Sequence, residues 1–340
     1  MKLGKIMAKE IAEIPEIYSK GNLFLQKLQP VMHALRSGEI SNVLIIARGS
    51  SDNAAHYLKF LIEYQLGLPV SLASPSLVSI YKAPLHLEQT LVIAISQSGK
   101  SPDLLNYLIE AKKSSPLSIS FTNDDSSPMA KAADFHINIG AGPELAVASS
   151  KSYAAQMFAS FIFVMAWVKG DPQLELIASL APSMLEVEIA RVVKAFQLSR
   201  QVVIIGRGSS YGNSKDMGLK LQETSHVAVQ SWSSADYLHG PISAMAPDAQ
   251  VIIIAPHGAP DNLLGDLLPR LYTSNVELFW IGQGVKPSRG LMVGGSLAGN
   301  EMISSLLDAI LIQRFAHNIS VHNGFNPDAP VGLTKVTLTH

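Results

Sequence analysis

The sequence predicts an α/β protein: two tandem doubly wound parallel-sheet domains, preceded by a helical arm and followed by a short tail. Three observations predict it. The run Asn42-Val43-Leu44-Ile45-Ile46-Ala47 is short, apolar and β-branched, the composition of a strand buried on both faces of a parallel sheet. It passes through Arg48-Gly49-Ser50-Ser51 into a helix beginning near Asp52. The same strand, turn and helix return at Gln201-Val202-Val203-Ile204-Ile205-Gly206 and Arg207-Gly208-Ser209-Ser210, with Arg48 and Arg207 159 positions apart (207 − 48). A second pair of buried strands, Leu91-Val92-Ile93-Ala94-Ile95 and Val251-Ile252-Ile253-Ile254, repeats at about the same offset. Strands alternating with helices, duplicated in register, define a tandem pair of doubly wound domains.

The elements follow in order. Residues 1–34 form a helical arm, with Ile11, Ile14 and Ile17 at helical spacing and Pro15 and Gly21 expected to divide it. The first domain covers 35–175. It closes on the most apolar run of the chain, 154–168, which is interrupted by Gln156 and Ser160 and reads as a buried helix, too short for a membrane span. Lys169-Gly170-Asp171-Pro172 is the linker, followed by a long helical stretch to about Leu198. The second domain covers 185–325, and 326–340 is a tail that starts with the turn residues Asn326-Pro327-Asp328-Ala329-Pro330.

Bulk composition agrees with two cores and removes several classes of function. At 340 residues, 47% hydrophobic and 16% charged, the chain is long enough for two domains of about 150 residues. Its formal net charge of −1 lacks the basic excess of a nucleic-acid binder, so an anionic ligand must be held by local features. With no cysteine, disulfides, thiolate catalysis and Cys-ligated metals are excluded. The first residues lack the apolar core of a signal peptide, so a cytoplasmic protein with no membrane partner is expected.

The chemistry starts at Ser96-Gln97-Ser98-Gly99-Lys100-Ser101-Pro102, between a buried strand and a helix. Ser101 suits the N-cap, Pro102 the first helical position and Asp103 the first turn. Free N–H groups and the positive end of the helix dipole favour an anion there, and Gly99 admits close backbone approach. Hydroxyls of Ser96, Ser98 and Ser101 are placed to donate to phosphate oxygens. The same residues also suit a plain helix-capping turn. The loop is neither a Walker A loop nor Gly-x-Gly-x-x-Gly, so a dinucleotide is not indicated. At offset 159 the second half reads Ala255-Pro256-His257-Gly258: the glycine persists and the serines do not.

Seven segments in order resemble the sugar isomerase (SIS) domain family, and within it the isomerase half of glucosamine-6-phosphate synthase and the aldose/ketose phosphate deaminases. They are Met7-Ala8-Lys9-Glu10-Ile11-Ala12-Glu13-Ile14-Pro15, Arg48-Gly49-Ser50-Ser51, Ser96-Gln97-Ser98-Gly99, Glu144-Leu145-Ala146-Val147-Ala148-Ser149-Ser150-Lys151, Gly218-Leu219-Lys220-Leu221-Gln222-Glu223, His239-Gly240-Pro241 and Leu333-Thr334-Lys335-Val336-Thr337. The resemblance implies flavodoxin-like SIS domains. It implies that Ser50, Ser51, Ser96, Gln97, Ser98 and Ser101 hold the phosphate and sugar hydroxyls, and that Val147 and Ser149 line the sugar. It makes Glu223, His239 and Lys335 the catalytic groups, in a homodimer whose histidine segment reaches the partner's active site. The chain departs from the synthase pattern at Lys100, Ser101, Asp216, Gln222 and Val331, which leaves the substrate preference open.

Each catalytic candidate has a chemical rationale and a bland one. Asp216, Lys220 and Glu223 share a face of a helix expected over 213–224, either as a solvated charge ladder or with Glu223 moving a proton between adjacent sugar carbons and Lys220 orienting it. His239, in a loop, is a surface histidine or the group that opens the sugar ring. Lys335 is a solvated lysine, a proton relay or a Schiff-base former, on a tail that folds over the substrate. His317 and His322 read as a helix end and not as a metal pair, so metal-independent, cofactor-free chemistry on a small sugar phosphate is expected.

The leading expectation is a glucosamine-6-phosphate deaminase. Glutamine-dependent synthesis needs a glutaminase domain with a cysteine nucleophile, whereas this chain starts at the isomerase half and has none. Another phosphosugar isomerase, a galactosamine-6-phosphate deaminase or a fructosamine-phosphate deglycase remains on the same scaffold. A non-catalytic phosphosugar-binding regulator is the alternative of another class.

Overall fold

The structure is a computed structural model and describes residues 3–37 and 39–335. Its strands are β1 Asn42–Ile46, β2 Val70–Leu72, β3 Thr90–Ile95, β4 Leu117–Thr122, β5 Phe135–Asn138, β6 Val202–Gly206, β7 Val229–Ser233, β8 Gln250–Ile254, β9 Glu277–Ile281 and β10 Leu291–Gly294. They form two five-stranded sheets, ordered β2-β1-β3-β4-β5 and β10-β9-β8-β6-β7, parallel throughout. Counted from its own first strand, each sheet runs 2-1-3-4-5, so the architecture is α/β with two tandem doubly wound domains.

Two compact units contain these sheets, and neither is contiguous. One comprises Glu16–Glu144, Lys151–Leu174 and the tail from Thr334; it holds the first sheet. The other comprises the chain up to Pro15, Leu145–Ser150 and Glu175–Leu333; it holds the second. The arm and the tail are thus each shared out between the two.

In the first unit the apolar runs of β1 and β3 are buried because helices cover both faces of the sheet. Helices Gly49–Leu66 and Lys151–Val168 pack on one another. The second carries the apolar run read from the sequence and is buried on every side from Lys151 to Val164. Among the described residues no helix is long and apolar enough to cross a membrane. Strand β4 is fully buried although Ser118, Ser120 and Thr122 alternate along it. Each hydroxyl has a partner: Ser118 donates to Asp134 (2.7 Å), Ser120 meets His136 Nδ1 (3.1 Å) and Thr122 meets Ser127 (3.3 Å).

In the second unit helix Tyr211–Ser225 packs against Glu301–His322 and against β7. The core is an apolar cluster that includes Ile204, Ile252, Phe279 and Phe315, with Phe196 edge-on to both phenylalanines.

The structure corrects two boundaries. The helix expected near Asp52 begins at Gly49. Arg48 is extended (φ −146°, ψ 155°) and Gly49 is left-handed (φ +56°), which turns the chain from strand into helix within one residue. Arg207 (φ −153°, ψ 154°) and Gly208 (φ +61°) repeat the same dihedral pair, so the duplication extends to backbone conformation. The single helical stretch expected up to Leu198 is three short helices, Leu174–Leu180, Ser183–Glu186 and Ala190–Ala195. Pro182 has no N–H with which to continue the first, and Val187 is extended after the second. The arm divides as expected, with Pro15 in the first turn of Ile14–Ser19 and Gly21 opening Gly21–Lys27.

Candidate active site

In the first unit, β1 and β3 are adjacent, and their connections leave toward opposite edges of the sheet. Ligands of doubly wound folds bind at such a switch point, outside the carboxyl ends of the strands. Ser50 and Ser51 follow β1; Ser96, Gln97, Ser98 and Ser101 follow β3. The structure therefore gathers all six predicted phosphate-loop residues at one place. Ser96 Oγ is buried and accepts the Gly99 N–H (3.1 Å), and Ser98 Oγ accepts the Lys100 N–H (3.3 Å), so both hydroxyl oxygens shape the loop. Gly99 is left-handed (φ +63°), and a Cβ there would lie 2.3 Å from Ser127 Oγ. Ser101 is extended at the start of helix Pro102–Ala111 and makes no side-chain cap bond, leaving its hydroxyl unspent on the helix. Ser51 is the exception: buried, it accepts from Gln156 Nε2 (2.9 Å) and braces the turn from inside. Arg48 Nε meets the buried Asp103 at 3.2 Å. Lys100 Nζ lies 3.2 Å from Asp124, whose carboxyl is drawn down to about 2 by the Ser126 hydroxyl, the Ser126 N–H and Lys100.

The same unit also contains Lys335. Its ammonium donates to Glu144 Oε2 at 2.6 Å. Glu144 is buried and takes the Ser152 N–H (3.0 Å) and hydroxyl (2.7 Å) at the start of helix Lys151–Val168. Lys335 is thus no free solvated lysine. Sequence reasoning gave Glu144 no role, although it opens one of the resembling segments seven residues before the helix at Lys151. Val336 and Thr337 lie outside the described residues.

The remaining predicted residues lie in the second unit. Val147 and Ser149 sit on Leu145–Ser150, and the Val147 N–H donates to the Asp328 carbonyl (3.1 Å). Asp216, Lys220 and Glu223 share helix Tyr211–Ser225, but they are no solvated ladder. Asp216 and Lys220 are fully buried, and the Glu223 side chain keeps 24% exposure. Lys220 Nζ donates to Glu223 Oε2 at 2.5 Å, while Asp216 accepts from Gln313 Nε2 (2.7 Å). A buried ammonium requires such partners. His239 is exposed and ends the short helix Ser234–Leu238. Among the described residues its side chain makes no hydrogen bond or ion pair, so no such contact joins it to Glu223 or Lys220.

The second half's counterpart of the serine loop is closed by its own chain. Gly258 (φ +86°) abuts the Gly299 backbone, 2.6 Å from where a Cβ would stand. His257 Nδ1 accepts the Gly299 N–H (2.9 Å), and Ser209 Oγ pairs with Ser305 Oγ (2.8 Å) beside Glu301. A turn and a carboxylate thus occupy the place that the serine loop leaves open in the first half. A cavity of about 520 Å³ lies instead at the amino ends of β6 and β7, lined by Arg200, Gln222, His226 and Gln230 among others. Three of its polar side chains are committed: Arg200 to Glu277 (3.3 Å), Gln222 to the Val229 carbonyl (3.1 Å) and Gln230 to Trp232 (3.4 Å).

Two doubly wound parallel sheets, the first with a serine-lined loop at its switch point, define the class of fold, and the comparisons give the family. The SIS domain family matches residues 39–166 and 196–277. The chain belongs to the SIS domain family, with phosphosugar isomerases among its relatives. It is 27% identical to glutamine–fructose-6-phosphate aminotransferase [isomerizing] of Acinetobacter baylyi, over 97% of this chain and 58% of the relative. The chain therefore spans less than two thirds of that relative's length. A solved structure from Silicibacter pomeroyi DSS-3, provisionally classed as a phosphosugar isomerase, superposes with a TM-score of 0.88 at 30% identity, covering 95% of this chain and 99% of that one. Glucosamine-6-phosphate deaminase of Thermotoga maritima shares the fold (TM-score 0.76, 19% identity, 98% of this chain and 100% of that one).

Proposed function

We propose that this chain is a glucosamine-6-phosphate deaminase that yields fructose 6-phosphate and ammonia. The observation that carries the reading is the Glu223 carboxylate, partly open to solvent and held by a fully buried lysine. A carboxylate so oriented suits repeated proton transfer at neighbouring carbons. The serine cradle binds the phosphate through hydroxyls and the amino end of helix Pro102–Ala111. His239 opens the sugar ring by passing a proton between the ring oxygen and the C1 hydroxyl. Glu223 removes the proton from C2, giving an enolamine, and returns it to C1. The resulting C2 imine takes up one water and releases ammonia, leaving the ketone of fructose 6-phosphate. Lys335, anchored on Glu144, supplies a charged donor.

A ketose–aldose isomerase without amine loss is the second reading, favoured by the 30% identity to the Silicibacter protein. It uses the same Glu223 transfer. Purified chain is tested for ammonia release from glucosamine 6-phosphate, alongside galactosamine 6-phosphate, fructosamine 6-phosphate and plain hexose 6-phosphates. Ammonia no faster than from the E223Q variant overturns the deaminase; interconversion of hexose phosphates without ammonia selects the isomerase. Binding of the panel with turnover of none selects a non-catalytic sensor.

A further inference from the structure

Two buried carboxylates to which the proposed chemistry gives no part bind main-chain N–H groups. Asp328, nearly buried, receives the Ile6 N–H on Oδ2 (3.1 Å) and the Met7 N–H on Oδ1 (2.8 Å). It thereby closes the first turn of helix Lys5–Ala12, whose own N-cap, Gly4, has no side chain to do so. Asn326 Oδ1 takes the Gly4 N–H (3.2 Å), and His317 Nε2 meets the Gly4 carbonyl (2.8 Å). The backbone carbonyl of Asp328 accepts the Val147 N–H (3.1 Å). Further along the same helix, the buried Glu10 accepts the N–H groups of Leu145 and Ala146. The arm helix, the backbone at 145–147 and the base of the tail at 326–328 are therefore locked together, although they lie more than 130 residues apart in the chain.

Hydrogen bonds to backbone fix where the main chain runs. Two residues beyond Val147 stands Ser149, and seven beyond Asp328 stands Lys335. We infer that Glu10 and Asp328 are positioning residues of the phosphosugar reaction, which hold in place the two backbone stretches that present Val147 and Ser149 on one and Lys335 on the other. This rests on the site assignments made under the proposed function. The proposed proton transfers use neither carboxylate. The arm helix thus serves the site as well as the core.

The test uses the full chain with E10Q, D328N and, as control, K9A, which changes an exposed lysine of the same helix. Three quantities are read: amide exchange at 145–147, the dissociation constants of inorganic phosphate and fructose 6-phosphate, and kcat and KM on whichever panel substrate the wild type turns over. Positioning predicts faster exchange at 145–147 with β6 and β8 still protected and phosphate affinity unchanged. It also predicts kcat/KM lower by on the order of tenfold to a hundredfold, or a matching loss of fructose 6-phosphate affinity if nothing is turned over. K9A behaves as wild type. A uniform loss of protection across both sheets, or faster exchange with unaltered sugar-phosphate binding and turnover, overturns the positioning role and leaves the deaminase reading untouched. Absent ammonia release with intact sugar-phosphate binding overturns the deaminase and leaves positioning testable by affinity. A wild type that binds no hexose phosphate overturns both.

Discussion

Lys220 is wholly enclosed while Glu223, three residues on, accepts its hydrogen bond at 2.5 Å and still reaches solvent. The pair is therefore asymmetric: the cation is structural, the anion available. E223Q is expected to lower turnover by about 10²- to 10⁴-fold, the usual contribution of a positioned acid–base group, with little change in unfolding midpoint. Replacing Lys220 with Met keeps the volume and removes the orienting donor. Turnover is expected to fall while a folded spectrum is retained; a K220M enzyme with wild-type kcat would show that Glu223 needs no such support.

Gly99 meets two constraints at once, a left-handed φ and 2.3 Å to Ser127 Oγ for any added Cβ. G99A is expected to cost about 1–3 kcal/mol of stability. Millimolar phosphate is expected to raise the unfolding midpoint of the wild type and to leave that of G99A unchanged. Denaturant titration with and without phosphate measures both effects.

Asp308 lies fully buried on helix Glu301–His322, with Oδ1 accepting the Ser296 N–H (2.7 Å) and Oδ2 unbonded among the described residues. Burial pushes its carboxyl up to about 8, the Ser296 N–H opposing. Between the ordinary carboxylate value and about 8 the folded chain keeps a proton that the unfolded chain releases. The stability that Asp308 contributes is thus complete in acid and is lost as pH rises through about 8. Burial raises Glu301 in the same direction. D308N keeps the acceptor for Ser296 and should flatten the fall in denaturation midpoint between pH 5 and 8.5; an unchanged slope would exclude Asp308 as its source.

Glu144 collects the Ser152 N–H, its hydroxyl and Lys335. E144Q retains an acceptor but loses the charge. Limited proteolysis should then cleave the chain faster beyond Leu333, with turnover reduced and the first sheet's amides still protected. A tail as resistant as in the wild type would show that the ion pair does not hold it.

Four strands were legible in the sequence because β1, β3, β6 and β8 are uninterrupted apolar runs. Strand β4 hid behind Ser118, Ser120 and Thr122, whose burial depends on Asp134, His136 and Ser127 elsewhere in the chain. In β7 the alternation of Gln230, Ser231, Trp232 and Ser233 likewise hid a half-buried edge. The serine loop could be read because strand, glycine and cap are local signals. That Lys220 is buried could not, since a helical charge ladder looks the same in water. Glu10, Glu144 and Asp328 acquire their roles through partners as far as 322 residues away, a distance that no spacing rule spans.

The first turn of helix Lys5–Ala12 is among the first parts of this sequence to be translated, and the carboxylate that closes it, Asp328, is 321 residues later than Met7. At about 5–20 residues per second, the helix waits roughly 16–64 s on the ribosome with its N–H groups uncapped. The arm helix therefore gains its closing carboxylate only after residue 328 has been made. During that wait Met7 and Ile11, which end up buried, have no finished surface to cover them, so nascent chains stalled before residue 328 are the forms most in need of a chaperone.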